Sequence, residues 1–538
     1  MKGMKAVAMG AALALGITQG TWAIGQGAKA VAEAEGRQSE GKRTKDRVQA
    51  FQTWIKDRGG DTEGIAFKEC GEGDGKGKVK GGARRDYGTE AREFGVFAGR
   101  RVPTLGRLQR WAAMGITLGF AGREHLVATF PFDAVAITPA TPLKDGDKGV
   151  ALAFEQALAS GQIDAREAVI LYLILQERRG EGSEWEPYIN VLPKRPGSSS
   201  LLSEADLRYI RGTNLFKAVQ SLQAELPREF SNRILPVMNS ILEADPSTER
   251  GSVSYDDYVK YFTTFWSRTL ALPVPIPSED GRGGMEFMEL DSIVPGLDFA
   301  NHSGGAANAR WQLDPKSRAI QLYATRALTE GNEVFIKYGD RSNEQLMFQY
   351  GFAEEDNPND SIMLHLSQFA EKMFAGEETK EMSKSLDEWN ARVSIARDKG
   401  LPLKAFLCAR DIDRRTGAAK ALPEAFMQTL EVLVADPSCE TGESTGKRTG
   451  DHSFGALALA TKMFQSVVYT LESQSEGTGT LEADRALLER DSQASEEGSE
   501  GSLTSYQRMC IIYRMGQKRI ARAYLQFAQE QLSKLMKE

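Results

Sequence analysis

Between Ile293 and Phe352 the chain reads IVPGLDFANHS and then, after a Gly/Ala-containing interval, GNEVFIKYGDRSNEQLMFQYGF. Gly and Pro punctuate this short region. Into it fall a carboxylate (Asp298), an Asn-His pair (Asn301, His302) and three aromatics (Tyr338, Tyr350, Phe352). Singly each has a plain structural reading: Asn301-His302 as turn residues, Tyr338 as a strand-end aromatic in the core. Such a density of polar and aromatic groups suits a site more than a core.

The rest of the chain sets limits on that site. A length of 538 residues exceeds one hydrophobic core, so two or three domains are expected. The net charge of -7 and pI near 5.6 argue against a general nucleic-acid binder and leave room for a local basic groove. Cys70, Cys408, Cys439 and Cys510 form no C-x-x-C pair and have no neighbouring His cluster, so neither a structural metal nor a disulfide framework is expected. The first 32 residues carry no acidic side chain. They open with Lys2 and Lys5 before the small apolar run Ala6 to Ile17, with Thr21-Trp22-Ala23 as a processing site. That layout reads as a targeting leader over residues 1–46, too short in its apolar part for a stable membrane span. It fits a two-step route into a plastid, with secretion or the cytoplasm as the alternatives. Secretion would turn Asn301-His302-Ser303 and Asn359-Asp360-Ser361 into glycosylation sequons.

Taken in order, Phe51 to Gly59 forms a short amphipathic helix and Cys70 to Arg85 a Gly/Lys-rich loop. Phe94-Gly95-Val96-Phe97-Ala98 makes a strand; Leu105 to Gly122 is a surface loop or short helix; His125 to Pro131 is a second strand. Asp164 and Glu167 have capping-box spacing, Ala168 to Leu175 is apolar throughout, and Arg178, Arg179 and Gly180 close a helix that should be buried on all sides. Ser203 and Asp206 start further helices running to about Asp245. Ala319–Thr325 and Glu333–Tyr338, joined through Thr329-Glu330-Gly331-Asn332, predict a hairpin. After Pro358 the pattern is helical, except for an acidic Ser/Gly-rich stretch, Glu472 to Ser502, expected to be disordered. Apolar residues from Met509 to Leu535 recur at helical spacing.

The ordered set Pro-x-x-Asp-x-x-Asn-His, Gly-x-Glu-Val-x-x-x-Tyr-Gly and Tyr-Gly-Phe resembles the SET-domain protein methyltransferases, and among them the Rubisco large-subunit lysine methyltransferase class. The strand Phe94–Ala98 matches that class's Gly-x-Gly-hydrophobic-x-Ala, with Glu93 in place of the first Gly. SEWEPYINVLP (Ser183 to Pro193) is similar to its Ser-x-Trp-x-Pro-Tyr-x-x-x-Leu-Pro signature. The resemblance implies an α+β fold: a β-rich, pseudoknotted SET domain over 47–355 with a helical insert at about 154–265. An all-α substrate-binding domain would follow over 356–538, carrying the disordered insert at about 472–502. The absence of a cysteine-rich segment after Tyr338 points to the branch acting on non-histone proteins.

The resemblance further implies S-adenosyl-L-methionine as cofactor and a protein substrate, with a monomer expected. Methyl transfer from a sulfonium to an amine is an in-line displacement, so a neutral nitrogen must be delivered, aligned and shielded from water. Tyr338 corresponds to the catalytic tyrosine closing the channel between cofactor and substrate. Phe94, Gly95, Asn301, His302 and Arg268 correspond to cofactor-binding positions, Arg268 through the cofactor's carboxylate. Ser267, Asp298, Leu270, Trp311, Tyr350 and Phe352 correspond to the substrate side, where aromatic faces suit a cationic nitrogen. Leu270 stands where related histidine methyltransferases place Asn; an apolar side chain offers an imidazole no partner, which favours lysine. The Rubisco large subunit or fructose-bisphosphate aldolase is the substrate the family suggests. A protein-histidine methyltransferase and a non-catalytic SET-fold interaction module are the alternative readings.

Overall fold

The computed structural model describes residues 43–70, 94–100, 125–194, 202–248, 252–277, 285–366, 369–370, 379–435, 453–497 and 503–537. The leader before residue 43, most of the Gly/Lys-rich loop, Glu93 and the Leu105–Gly122 segment lie outside them. Helix α1 covers 43–57, so it begins inside the stretch assigned to the leader. Phe51, Trp54 and Ile55 bury its inner face.

Strands β1 (Ile65–Glu69) and β2 (Phe94–Ala98) pair antiparallel, and β3 (His125–Pro131) follows. A helical insert then begins with α2 (Lys148–Ala159) and α3 (Ala165–Arg179). The expected capping box at Asp164 and Glu167 is present, and every residue from Ala168 to Leu175 is buried. Further helices are α4 (Asn214–Glu229), capped by Thr213, α5 (Leu235–Ala244), and α6 (Tyr255–Arg268), which has its own Ser254–Asp257 capping box.

The chain returns to sheet in β4 (Thr269–Pro277) and β5 (Met285–Ile293), a long antiparallel pair. Pro273, Pro275 and Pro277 alternate along β4, which an edge strand tolerates because it has a side needing no N–H donors. Next come β6 (Asn301–His302), β7 (Ala309–Asp314), β8 (Ala319–Ala324) and β9 (Phe335–Ile336). The β8–β9 hairpin expected from the sequence does not form. Instead β8 sits between β3 and β7, and β9 lies parallel to β6. The turn explains the departure: Asn332 accepts hydrogen bonds from the Thr329 amide and hydroxyl, and the chain leaving it zips onto β2 through Ala98 N–Asn332 O at 2.7 Å and Val334 N–Val96 O at 2.7 Å. Segment 331–334 is therefore claimed by β2, and β9 is carried across to β6.

Helix α7 (Asn343–Tyr350) ends at Gly351 in the left-handed conformation. The C-terminal region is mainly helical, with one two-stranded sheet of β10 (Ser361–His365) and β11 (Lys404–Cys408). Its helices are α8 (Thr379–Asp398), α9 (Glu424–Val434), α10 (Phe454–Glu472), α11 (Leu481–Glu497) and α12 (Ser505–Leu535). The predicted disordered insert is thus mostly helix. Leu481 is buried, and buried Asp484 binds Arg514 at 2.5 Å and Lys518 at 2.6 Å on α12. The acids that read as solvating are counter-ions for a basic neighbour. Residues 498–502 lie outside the described set.

Three buried clusters result. The largest joins the SET strands to the insert; a second fills the C-terminal helices; a third, with Leu215, Met347 and Tyr513 at its centre, couples insert, α7 and α12. Among the described residues no helix is long and apolar enough to cross a membrane, and no group of three or more His, Cys, Asp or Glu could hold a metal.

Candidate active site

The parallel crossing of β6 and β9 brings Asn301-His302 beside Tyr338. The Tyr338 amide donates to His302 Nδ1 at 2.9 Å, and its hydroxyl donates to the Ala300 carbonyl at 2.9 Å. Because Nδ1 accepts, a neutral His302 carries its proton on Nε2. That nitrogen faces Glu354 Oε2 at 3.6 Å, and Glu354 also accepts the Gly304 amide at 2.8 Å. A Cβ on Gly304 would lie 2.5 Å from Glu354 Oε2, so glycine is what lets the carboxylate approach.

Four rings line this corner. Tyr338 lies 5.1 Å from His302 and 4.8 Å from Tyr350, and Phe352 lies 5.9 Å from His302 and 6.1 Å from Tyr350, centroid to centroid. Phe352 is buried, whereas Tyr338 and Tyr350 are half-buried. Burial raises the Tyr350 phenol's pKa, with Arg341 pulling the other way.

Beside the rings, β2 supplies a close backbone approach. A Cβ on Gly95 would lie 2.6 Å from Cys70 Sγ and 3.2 Å from Glu333 Oε1. Asn301 Nδ2 donates to Glu333 Oε1 at 2.7 Å and reaches Cys70 Sγ at 3.6 Å. Phe94 turns inward, edge-on to Phe299 at 6.1 Å.

Asp298 is buried under this surface. Tyr188 donates to it at 2.8 Å, the Gly296 amide at 2.9 Å and Arg268 Nη1 at 3.2 Å; the same Nη1 also reaches the Asp298 carbonyl. The Arg268 guanidinium in turn covers the Phe299 ring at 4.6 Å. Burial raises the Asp298 pKa while Arg268 and the hydrogen bonds oppose the rise. Three donors on one carboxylate fix the Leu297–Phe299 turn that feeds β6.

The structure therefore gathers His302, Tyr338, Tyr350 and Phe352 in one corner, Gly95 and Asn301 in a second, and Arg268 with Asp298 beneath them. Ser267 bonds back to the Thr264 carbonyl at 3.3 Å, at the end of α6. Leu270 lies opposite Ser292 and Trp311 opposite Leu322, each half-buried against the main core. Sequence reasoning missed Tyr188, Glu333 and Glu354 as members. The first two sit inside quoted motifs, Trp-x-Pro-Tyr and Gly-x-Glu-Val; Glu354 follows Tyr-Gly-Phe by two positions and had no such marker.

Known proteins share parts of this sequence and its fold. The family model described as cytochrome c lysine N-methyltransferase 1 matches residues 225–394, and the Rubisco LSMT substrate-binding model matches 387–520. Similar curated proteins include an actin-histidine N-methyltransferase of Drosophila melanogaster, 25% identical over 205 residues (36% of this chain, 37% of that protein). The actin-histidine N-methyltransferase of Homo sapiens is 26% identical (37% and 31%), and the ribosomal lysine N-methyltransferase set10 of Schizosaccharomyces pombe 27% identical (36% and 33%). The matches span about a third of the length of these relatives. Rubisco LSMT bound to AdoMet superposes with a TM-score of 0.58 at 18% identity, over 91% of this chain and 93% of that one. The LSMT SET domain bound to lysine and AdoHcy gives a TM-score of 0.57 over 90% and 92%. The parallel crossing that sets Asn301-His302 beside Tyr338 and the near full-length superposition give this chain the fold of Rubisco LSMT, and the two family models match its middle and its C-terminal part.

Proposed function

We propose that the protein is an S-adenosyl-L-methionine-dependent protein N-methyltransferase acting on a lysine of a non-histone protein. The observation that carries this reading is Tyr338, held at its hydroxyl by Ala300 and at its amide by His302, at the edge of a four-ring corner. A phenol whose proton is held by the Ala300 carbonyl keeps oxygen lone pairs that can orient an acceptor nitrogen by hydrogen bonding.

Bound cofactor would supply the sulfonium methyl group. Gly95 and Asn301 share Cys70 and Glu333 as neighbours and would border the cofactor, with Phe94 packed inward on Phe299 behind them. Tyr350 and Phe352 would enclose the acceptor, and the amine must shed its proton before it can attack. Burial, and the positive sulfonium beside it, would favour the neutral form. Arg268 and Asp298 act from beneath by fixing the turn into β6, with Ser267, Leu270 and Trp311 further from the four rings.

Lysine is favoured over histidine by Leu270, which offers an imidazole no hydrogen bond. The histidine reading is kept open by the actin-histidine relatives, and the acceptor assay decides it. We read the leader as plastid-directed; retention of a leader–fluorescent protein fusion outside plastids would overturn that.

The test uses methyl-labelled cofactor with a soluble plastid or whole-cell extract, followed by hydrolysis and identification of the labelled amino acid. Labelled methyllysine, reduced at least about 100-fold in Tyr338→Phe with cofactor binding retained, is the expected result. Methylhistidine would move the acceptor to imidazole. Saturable cofactor binding with no transfer to any protein would leave an interaction module.

A further inference from the structure

Cations collect on the exposed segment that carries Tyr338. Lys337 is exposed and pairs with Asp340 at 2.5 Å, while Arg341 Nε reaches the Tyr338 carbonyl at 3.4 Å. Asp340 also accepts from Asn359 at 3.3 Å; one residue on, the Asp360 carbonyl accepts the Ala409 amide at 2.8 Å. Those two bonds bring the turn 409–420 of the C-terminal region alongside the tyrosine segment. Lys337, then Asn359 and Arg410, hold the Asp340 carboxyl below its usual range, which agrees with that closeness.

The turn itself is basic. Arg410, Arg414, Arg415 and Lys420 are all exposed, against Asp411 and Asp413. Asp413 is occupied in shaping the turn, accepting the Arg415 amide at 2.8 Å and the Thr416 amide at 2.9 Å. The Ile412–Ala419 bridge and the Ala419 amide on the Ala523 carbonyl at 3.2 Å seat it on α12, so its cations project from a supported platform. The chain as a whole carries a charge of -7, so this is a local reversal of sign.

We propose that this rim is a docking surface for acidic protein, so that the acceptor residue of the natural substrate is flanked by Asp and Glu. The proposal rests on the transferase reading above and names its substrate class. A protonated amine on a basic or neutral segment is repelled by the rim; acidic flanks offset the repulsion and steer encounter. Each exposed pair contributes little by itself, and the effect lies in the shared field, which salt screens.

The test compares the full chain with the variant Arg410→Glu, Arg414→Glu, Arg415→Glu, whose positions are exposed and outside the cofactor corner. Extract proteins separated on an anion exchanger serve as substrates. Transfer is expected to concentrate in the strongly retained, acidic fractions and to fall steeply between about 50 and about 300 mM salt. In the variant it should drop about tenfold, with cofactor affinity unchanged. Equal labelling by the variant, or labelling confined to unretained basic proteins, overturns the proposal.

A second readout separates its failure from that of the transferase reading. Fluorescein-labelled poly-L-glutamate is titrated against both proteins and followed by anisotropy. Binding weakened about tenfold in the variant supports the rim even where no transfer is seen; equal or absent binding refutes it.

Discussion

Tyr338 owes its placement to a neighbour it does not touch. Glu354 faces His302 Nε2, His302 Nδ1 accepts the Tyr338 amide, and the Tyr338 hydroxyl returns to Ala300, one residue before β6. Glu354→Leu removes the acceptor that orients the imidazole, and a small misplacement of a positioned group is costly in rate. Turnover should fall about tenfold, with Glu354→Gln in between because an amide oxygen can still accept from Nε2. Steady-state kinetics on both variants check this, and wild-type turnover in the leucine variant would remove Glu354 from the site. Tyr338, Asn301 and His302 were legible because their order along the chain is itself a pattern. Glu354 was not, since an acid in a loop reads as solvated surface until its partner across the fold is known. The sequence singled out Arg268 for the cofactor carboxylate and Asp298 for the substrate side; the structure pairs them with each other and with Tyr188, contacts set by the third dimension.

Among the elements, α11 shows how composition misleads when charge is paired. Its sequence reads as a solvated insert, yet Asp484 is buried between Arg514 and Lys518, Glu482 binds Arg522 at 2.5 Å, and Asp491 binds Arg508. Burial also pulls the Lys518 ammonium's pKa down against the pull of Asp484. Asp484→Asn leaves two buried cations facing a neutral group, and losing one partner of a buried ion pair costs about 3–5 kcal/mol. Urea unfolding of the variant should show a loss of that order; a change below about 1 kcal/mol would mean that water reaches the cluster. Helix α3 lies at the other extreme: its capping box and apolar run needed no tertiary information. Strand β9 is intermediate, since its strand character was readable but its partner was not, because the turn at Thr329–Asn332 delivers the chain to β2 before β6.

At the scale of the whole molecule, Asp360 is the joint. Its carboxylate accepts the Asn343 amide at 3.0 Å from α7 and the Ser361 amide at 3.0 Å, and Gln517 of α12 reaches it at 3.4 Å. A Cβ on Gly516 would lie 2.5 Å from the same carboxylate, so α12 passes close only because that residue is glycine. Burial pushes the Asp360 carboxyl up to about 7 from 3.8, against its hydrogen bonds to Asn343 and Ser361. The folded state thus holds this proton more tightly than the unfolded chain. The associated stability is fully present below the unfolded value and is lost as pH rises to about 7, by up to the order of 4 kcal/mol. Asp360→Asn should flatten the fall in urea midpoint between about pH 5 and about pH 8, and an unchanged slope would show that the carboxyl ionises normally. Helix α12 ties the same joint to the insert and α7, through Arg514 on the Tyr209 carbonyl at 2.9 Å, Gln507 on Asp206 at 2.9 Å and Tyr513 on Glu344 at 3.1 Å. During synthesis that cover arrives late. Leu215, Met347 and Ala353 leave the ribosome well before Cys510 and Tyr513, the residues that close over them, so the nascent chain carries an open, aggregation-prone apolar seam until α12 has been translated.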